Sequence, residues 1–392
     1  MAPETSAGSG IGELVMEGQC LVVTADSVGG TFGEGVPEAA LWHGRAYQSS
    51  IQLTSTALVY FGLVCAAYQC YVQHLAVALA LAAMAGLTLV RLFIFQHDCA
   101  HYSFFRSRRA NDICGLMLGM LTLAPHHYWR SMHILHHSSS GNLCRRGWGD
   151  IYTMTSSEYQ QASLFEKVKY RIYRHPLAMV LLGPLYQFVL RFRWPATLPI
   201  GIKGKRAPRP DASPQAPRRG QGGLAAALRF LERRSVALTN TALALIHLSA
   251  FVYLDYSIFL VLALVIVQVS AMTGIVLFYV QHQLETPYWV AGAAWSAKDA
   301  ALHGSSHLHL PRVIERFVGA INLHHVHHLK PMIVNYRLRE YMLTHGLSQH
   351  GVPIYPSDIW RLLQLKIYDE SLGVMTGFKC APKLTHRIGA EV

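Results

Sequence analysis

Charge is what this 392-residue chain has little of: Asp, Glu, Lys and Arg make up 14% of it, against 52% hydrophobic residues. With a positive mean hydropathy, that scarcity excludes an ordinary soluble protein and places the chain in a membrane. Cysteine is sparse too. The seven cysteines are odd in number and show no CxxC spacing, which excludes a disulfide framework and a zinc-finger pattern, so Cys70, Cys99, Cys114 and the others read as apolar residues. A glycine-rich dinucleotide fingerprint and a fused cytochrome domain are also missing, so electrons for any redox chemistry would come from a separate protein. Residues 1 to 46 have neither a basic n-region nor an apolar h-region, and no cleavable signal peptide is expected there. The formal charge of +12 sits in loops beside apolar stretches, outside any nucleic-acid-binding motif. Anionic lipid headgroups explain it better than nucleic acid does.

Histidine is what the chain has in excess, with 22 in all. Three clusters lie next to long apolar segments: HDCAH at 97 to 101, HILHH at 133 to 137 and HHVHH at 324 to 328. On a helix, His97 and His101 share a face at i and i+4. So do His133, His136 and His137 at i, i+3 and i+4, and His324, His327 and His328 repeat the pattern. Neutral imidazole suits iron, copper, nickel and zinc, and eight such ligands exceed the needs of one four-coordinate ion. A pair of metals is expected, read here as two irons (Fe2+). His126, His127, His303, His307 and His309 flank the clusters without that face-sharing pattern and read as hydrogen-bonding or interfacial residues.

Long apolar runs set the topology. Residues 52 to 70 and 73 to 95 form one expected membrane hairpin, and 236 to 254 with 257 to 280 form a second, turning at Asp255. The apolar stretches 113 to 124 and 177 to 190 are too short to span and contain or adjoin Pro125 and Pro184, so they are expected to be interfacial or re-entrant. The stretch from 140 to 235 carries 17 of the 34 basic residues, whereas the turns at 71 to 72 and 255 to 256 carry none. The long loops are therefore expected on the cytoplasmic side, which brings all three histidine clusters to one face. The expected fold is all-α and polytopic, with four transmembrane helices in two hairpins and a cytoplasmic helical cap carrying a di-iron site. The expected organisation is a mobile N-terminal tail (1–46), a membrane domain (47–345) holding a linker-like loop (203–223), and a C-terminal tail (346–392).

The boxes resemble those of the membrane-bound fatty acid desaturases and hydroxylases, which share HxxxH, HxxHH and HxxHH motifs around a di-iron centre. The segments HDCAHYSFF at 97 to 105, SGNLCRRGWGDIYTMTSSEY at 140 to 159, FYVQHQLE at 278 to 285 and NLHHVHHL at 322 to 329 look like the bacterial acyl desaturases. The likeness covers roughly residues 50 to 345. It implies His97, His101, His133, His136, His137, His324, His327 and His328 as metal ligands, adds His282 of YVQHQ as a ninth, and offers Asp98 and Asn322 as groups orienting the ligand rings. Cys144 stands where relatives often carry an acidic residue, and Val334 where they have proline, so substrate details do not carry over.

The resemblance implies oxygen-dependent desaturation of an acyl lipid or acyl thioester, with electrons from a ferredoxin or cytochrome. An unactivated methylene offers neither an acidic proton nor a leaving group, so acid–base and nucleophilic chemistry cannot reach it. A hydroxylase or ketolase of the same superfamily is the alternative reading, and a zinc hydrolase or metal-binding receptor is the non-redox one. A multi-pass protein of the bacterial inner membrane, with its site facing the cytoplasm, is expected. Arg145, Arg146, Lys167 and Lys169 form a basic surface that either attracts lipid or docks an acidic donor.

Overall fold

A computed structural model describes Trp42 and residues 44–147, 149–194 and 221–378. The uncharged runs fold as long helices, because a helix satisfies every backbone polar group internally where no water is available. The first hairpin is α1 (Ala46–Cys70) and α2 (Leu75–Ala100). Shorter α3 (Arg108–Leu121) and α4 (His126–Ser139) follow. The Ser107 side chain caps α3 by accepting from the Ala110 N–H. Next come β1 (Met154–Thr155), α5 (Ser156–Gln161) and α6 (Leu164–Tyr173). The stretch read as interfacial or re-entrant forms two π-helical turns at Ala178–Leu182 and Leu185–Leu190, with Leu177, Leu181, Leu182 and Leu190 exposed.

The second hairpin is α7 (Gln221–Tyr253) and α8 (Tyr256–His282). Asp255 starts α8 by accepting from the N–H groups of Ser257 and Ile258. Among the described residues, four helices are long and apolar enough to cross a membrane: Ala46–Cys70, Leu75–Ala100, Ala227–Tyr253 and Tyr256–His282. Their burial differs. Half of the apolar window of α2 is covered by protein against 17% in α1 and α8, so α2 is the central span and the others present most of their surface outward. Gly86 permits that centrality, since a Cβ there would stand 2.8 Å from the Ile266 carbonyl oxygen of α8. Leu89, Leu92, Phe95, Leu262 and Ile266 fill this contact. The two hairpin turns meet at the opposite end, where the Asp255 N–H donates to the Tyr68 hydroxyl at 2.7 Å.

Beyond α8 lie α9 (Ala297–His303), β2 (Ser306–Leu308), α10 (Arg312–Phe317), α11 (His324–Leu329) and α12 (Leu338–Thr344). They are followed by β3 (Val352–Ile354), α13 (Ile359–Leu362), β4 (Ile367–Asp369) and β5 (Val374–Thr376). The fold is helical as expected, with two small sheets added among the described residues. β4 pairs parallel with β1 and antiparallel with β5, and β2 pairs parallel with β3. These sheets knit the segment read as a C-terminal tail into the body through residue 378. Leu362, Leu365, Tyr368 and Met375 pack with Tyr279, Val280 and Leu284 at the end of α8. Arg174 locks this junction: fully buried, it donates to Thr153 Oγ1, the Tyr279 hydroxyl, Gln283 Oε1 and the Leu365 carbonyl. Most of the N-terminal segment read as a tail, the greater part of the 203–223 linker, and residues 379–392 lie outside the described residues. Of the cysteines, Cys65, Cys70, Cys99 and Cys114 are free thiols as expected, whereas Cys144 is disulfide-bonded.

Candidate metal centre

Helix ends and short turns deliver the histidines to one place. His97 lies in the last turn of α2 with His101 just past it, α4 carries His133, His136 and His137, His282 ends α8, and α11 carries His324, His327 and His328. A matched pair of buried glutamines sets the loops that carry the boxes. Gln96 precedes His97; its Nε2 donates to the Ala124 carbonyl at 2.8 Å and its Oε1 accepts from Thr122 Oγ1 at 2.6 Å, fixing the turn that launches α4. Gln281 precedes His282, and its Nε2 donates to the Ile321 carbonyl at 3.0 Å, fixing the turn that launches α11. The sequence reading missed both glutamines, although a polar residue at the end of an apolar run is a visible signal.

All nine histidines converge, in two groups. The first holds His97, His101, His133, His137 and His327; the second holds His136, His282, His324 and His328; within each, the donor atoms lie within 4.8 Å of one another. Each HxxHH box is split between the groups. The i,i+4 pairs stay together, His133 with His137 and His324 with His328, while the third member, His136 or His327, crosses to the other side. Nε2 atoms face each other throughout. In the first group His97 meets His327 at 3.0 Å, His101 meets His133 at 2.9 Å, His133 meets His137 at 3.1 Å and His137 meets His327 at 3.0 Å. In the second, His136 meets His282 at 3.0 Å and His328 at 3.2 Å, and His282 meets His324 at 2.8 Å.

That spacing fits a metal. Ligands at right angles around a first-row ion with bonds of about 2.1 Å are roughly 3.0 Å apart. One N–H serves one good hydrogen bond, so a chain of facing Nε2 atoms is poorly satisfied by protons alone. Burial first, and repulsion among the rings second, hold His101, His133, His136, His137, His324, His327 and His328 well below the ordinary histidine range. They are therefore neutral, with lone pairs free for an ion.

The surrounding support is uneven. Asp98 Oδ1 stands 3.4 Å from His97 Nδ1, and its Oδ2 accepts from the backbone N–H and the side-chain amide of Asn335 at 2.9 and 2.8 Å. The Trp129 ring stacks on His133 with centroids 4.5 Å apart. In the second group Ser140 Oγ lies 3.4 Å from His282 Nδ1, and Nδ1 of His136 and of His324 has no partner among the described residues. Asn322, offered by the resemblance as a ring-orienting group, is engaged elsewhere through its amide nitrogen: its Nδ2 donates to the Leu308 carbonyl and to Glu315 Oε2. Two of the four cations proposed for docking are committed internally, since Arg146 pairs with Glu158 and Lys167 donates to the Gln160 carbonyl.

Four apolar helices carrying a buried pair of polyhistidine pockets at one end define a membrane protein built around metal-ligand chemistry. The chain belongs to the fatty acid desaturase family, whose profile matches residues 73–357. It is similar to a fatty acid desaturase of Bacillus subtilis, 37% identical over 341 residues, covering 87% of this chain and 89% of the relative. A Synechocystis sn-1 oleoyl-lipid 12-desaturase is 24% identical over 315 residues, covering 74% of this chain and 76% of the relative. An sn-1 acyl-lipid omega-3 desaturase (ferredoxin) of Nostoc matches over 107 residues at 33% identity, 27% of each chain. The protein is a membrane-type desaturase, an oxidoreductase of fatty acid metabolism.

Proposed function

We propose that the chain is an oxygen-dependent acyl-lipid desaturase whose nine histidines, His97, His101, His133, His136, His137, His282, His324, His327 and His328, hold two iron ions. The observation that carries this reading is the convergence of nine histidine Nε2 donors in two adjoining sets with contacts near 3 Å. An iron pair supplies the capacity to reduce dioxygen to two waters, taking two electrons from adjacent C–H bonds and two from a donor protein. The residues do the rest. Burial keeps His101, His133, His136, His137, His324, His327 and His328 neutral, Asp98 orients the His97 ring, and the two glutamines hold the box-bearing turns against the spans. The site lies at the ends of α2 and α8 away from the hairpin turns, so an acyl chain from the bilayer reaches it along the spans.

The excess of basic residues in the loops on the histidine side supports a cytoplasmic site, with the chain in the bacterial inner membrane. A separate ferredoxin or cytochrome is the proposed donor. The catalytic unit is read as residues 47–345, with the segment through 378 clasped onto it. Gas chromatography with mass spectrometry of fatty acids from an aerobic host expressing the chain tests the function beside a His327→Ala control. A new double bond absent from the control is the expected result. A hydroxylated product would move the reaction to the hydroxylase class, and stoichiometric zinc with oxygen-independent turnover would overturn the oxidative reading.

A further inference from the structure

A third group of donors lies outside the nine histidines. Asp112 of α3 and His126 and His127, the first two residues of α4, bring their ligand atoms within 4.8 Å of one another. His126 is fully buried, and neither of its ring nitrogens has a hydrogen-bond partner among the described residues; Asp112 Oδ1 is unpartnered as well. A buried imidazole without partners forgoes a hydrogen bond at each nitrogen, which a folded interior rarely tolerates without a ligand or water. The ring has nowhere else to go. A Cβ on Gly115, one turn beyond Asp112, would lie 2.2 to 2.5 Å from three atoms of the His126 ring, so only glycine at this position leaves room for it. Burial holds the ring at a pKa of about 3, neutral and with a free lone pair.

We propose that Asp112, His126 and His127 form a third metal site, taking a single divalent first-row ion of the zinc class that staples α3 to α4. Two imidazoles and one carboxylate are donors that such an ion accepts, with water in the fourth position. Ligation draws the donors inward, because a tetrahedral ion with bonds of about 2.0 Å sets its ligands roughly 3.3 Å apart. Arg130 and Arg234 are the nearby cations that oppose it. The Asp112 carboxylate supplies the compensating charge, and Arg130 is turned onto the Tyr102 ring, 3.9 Å from its centroid, where it also donates to the hydroxyl. The site is distinct from the histidine boxes: His126 precedes His133 by seven residues, roughly 10 Å along the helix. Its place is structural, bracing the turn between the first two boxes.

The test is the metal content of the full-length protein in detergent, loaded with iron, incubated with zinc alone and desalted. The wild type should retain about one zinc per chain in tetrahedral N/O coordination by X-ray absorption, and Asp112→Asn and His127→Gln should each lose it with iron content unchanged. Both positions are part-exposed, so these variants decide the matter even where His126→Gln fails to accumulate. Equal zinc in wild type and variants, or no retained zinc at all, would overturn the site and leave a trapped water at His126. Zinc lost from the wild type on adding excess iron would mean it occupied the nine-histidine centre, which also overturns it.

Discussion

The two histidine groups share a geometry and differ in what stands behind them. The first has five donors, a carboxylate on His97 that Asn335 anchors twice, and an indole stacked on His133. The second has four donors, a hydroxyl 3.4 Å from His282 with the Gly304 backbone bonded to the same ring, and two rings whose outer nitrogens are unpartnered among the described residues. Outer partners fix ring tautomer and orientation and raise ligand basicity. On the proposed reading, an ion in the first pocket would meet the better supported set, whereas an ion in the second would order the His136 and His324 rings on binding, so the second should exchange metal more readily.

Removing a ligand is the harshest way to test this. His136→Ala leaves three donors in the second group and His327→Ala leaves four in the first, so both should abolish product, by at least ~100-fold. Bound metal should nonetheless fall further in His136→Ala, as measured by elemental analysis of protein of equal folded yield. Equal loss in the two variants would erase the distinction between the pockets. Second in size is Asp98→Asn, expected to cost ~10 to 100-fold in metal affinity or turnover, against only a few-fold for Ser140→Ala. If Ser140→Ala proves the more damaging, the hydroxyl is the stronger support and the ranking reverses.

The last effect is read as fold stability on the acid side rather than as turnover, and it sharpens the comparison by removing metal from both pockets. Besides the ligands, burial depresses His307 and His325 to about 4 from the ordinary 6.5. The unfolded chain therefore takes up protons that the folded chain refuses. Stability of the metal-free protein is constant above about pH 6.5 and falls as pH drops toward 4, by up to about 1.4 kcal/mol per pH unit for each such ring. Thermal unfolding of chelated protein across that range should show the decline, and protein loaded with metal should show the same slope from a higher starting stability. A flat profile would mean that the rings are accessible to protons.

The spans and the boxes were legible because each rests on a local period: an uninterrupted apolar run for a span, and an i,i+3,i+4 face for a box. The split of His136 from His133 and His137 was not, because that same period puts all three on one face. Only the packing of α4 against α7, α3 and α2 decides which partner each ring meets. The pairing of β1 with β4 was equally hidden, since Met154 and Ile367 are brought together across the whole second half of the chain. Gln96 and Gln281 occupied visible positions, yet what they hold, the Ala124 and Ile321 carbonyls, is known only once the turns fold back. The tail beyond residue 345 gave no periodic signal, and its short strands take their order from neighbours rather than from propensity.

Splitting the boxes between pockets has a consequence for biosynthesis. His97, His101, His133 and His137 leave the ribosome early, but their group is completed only by His327, and the other group waits for His282, His324 and His328 to join His136. Neither pocket is whole until translation has passed residue 328. Both hairpins are by then made and ready to insert, so on the proposed reading metal enters a finished membrane protein, and a nascent chain arrested before that point carries neither complete pocket.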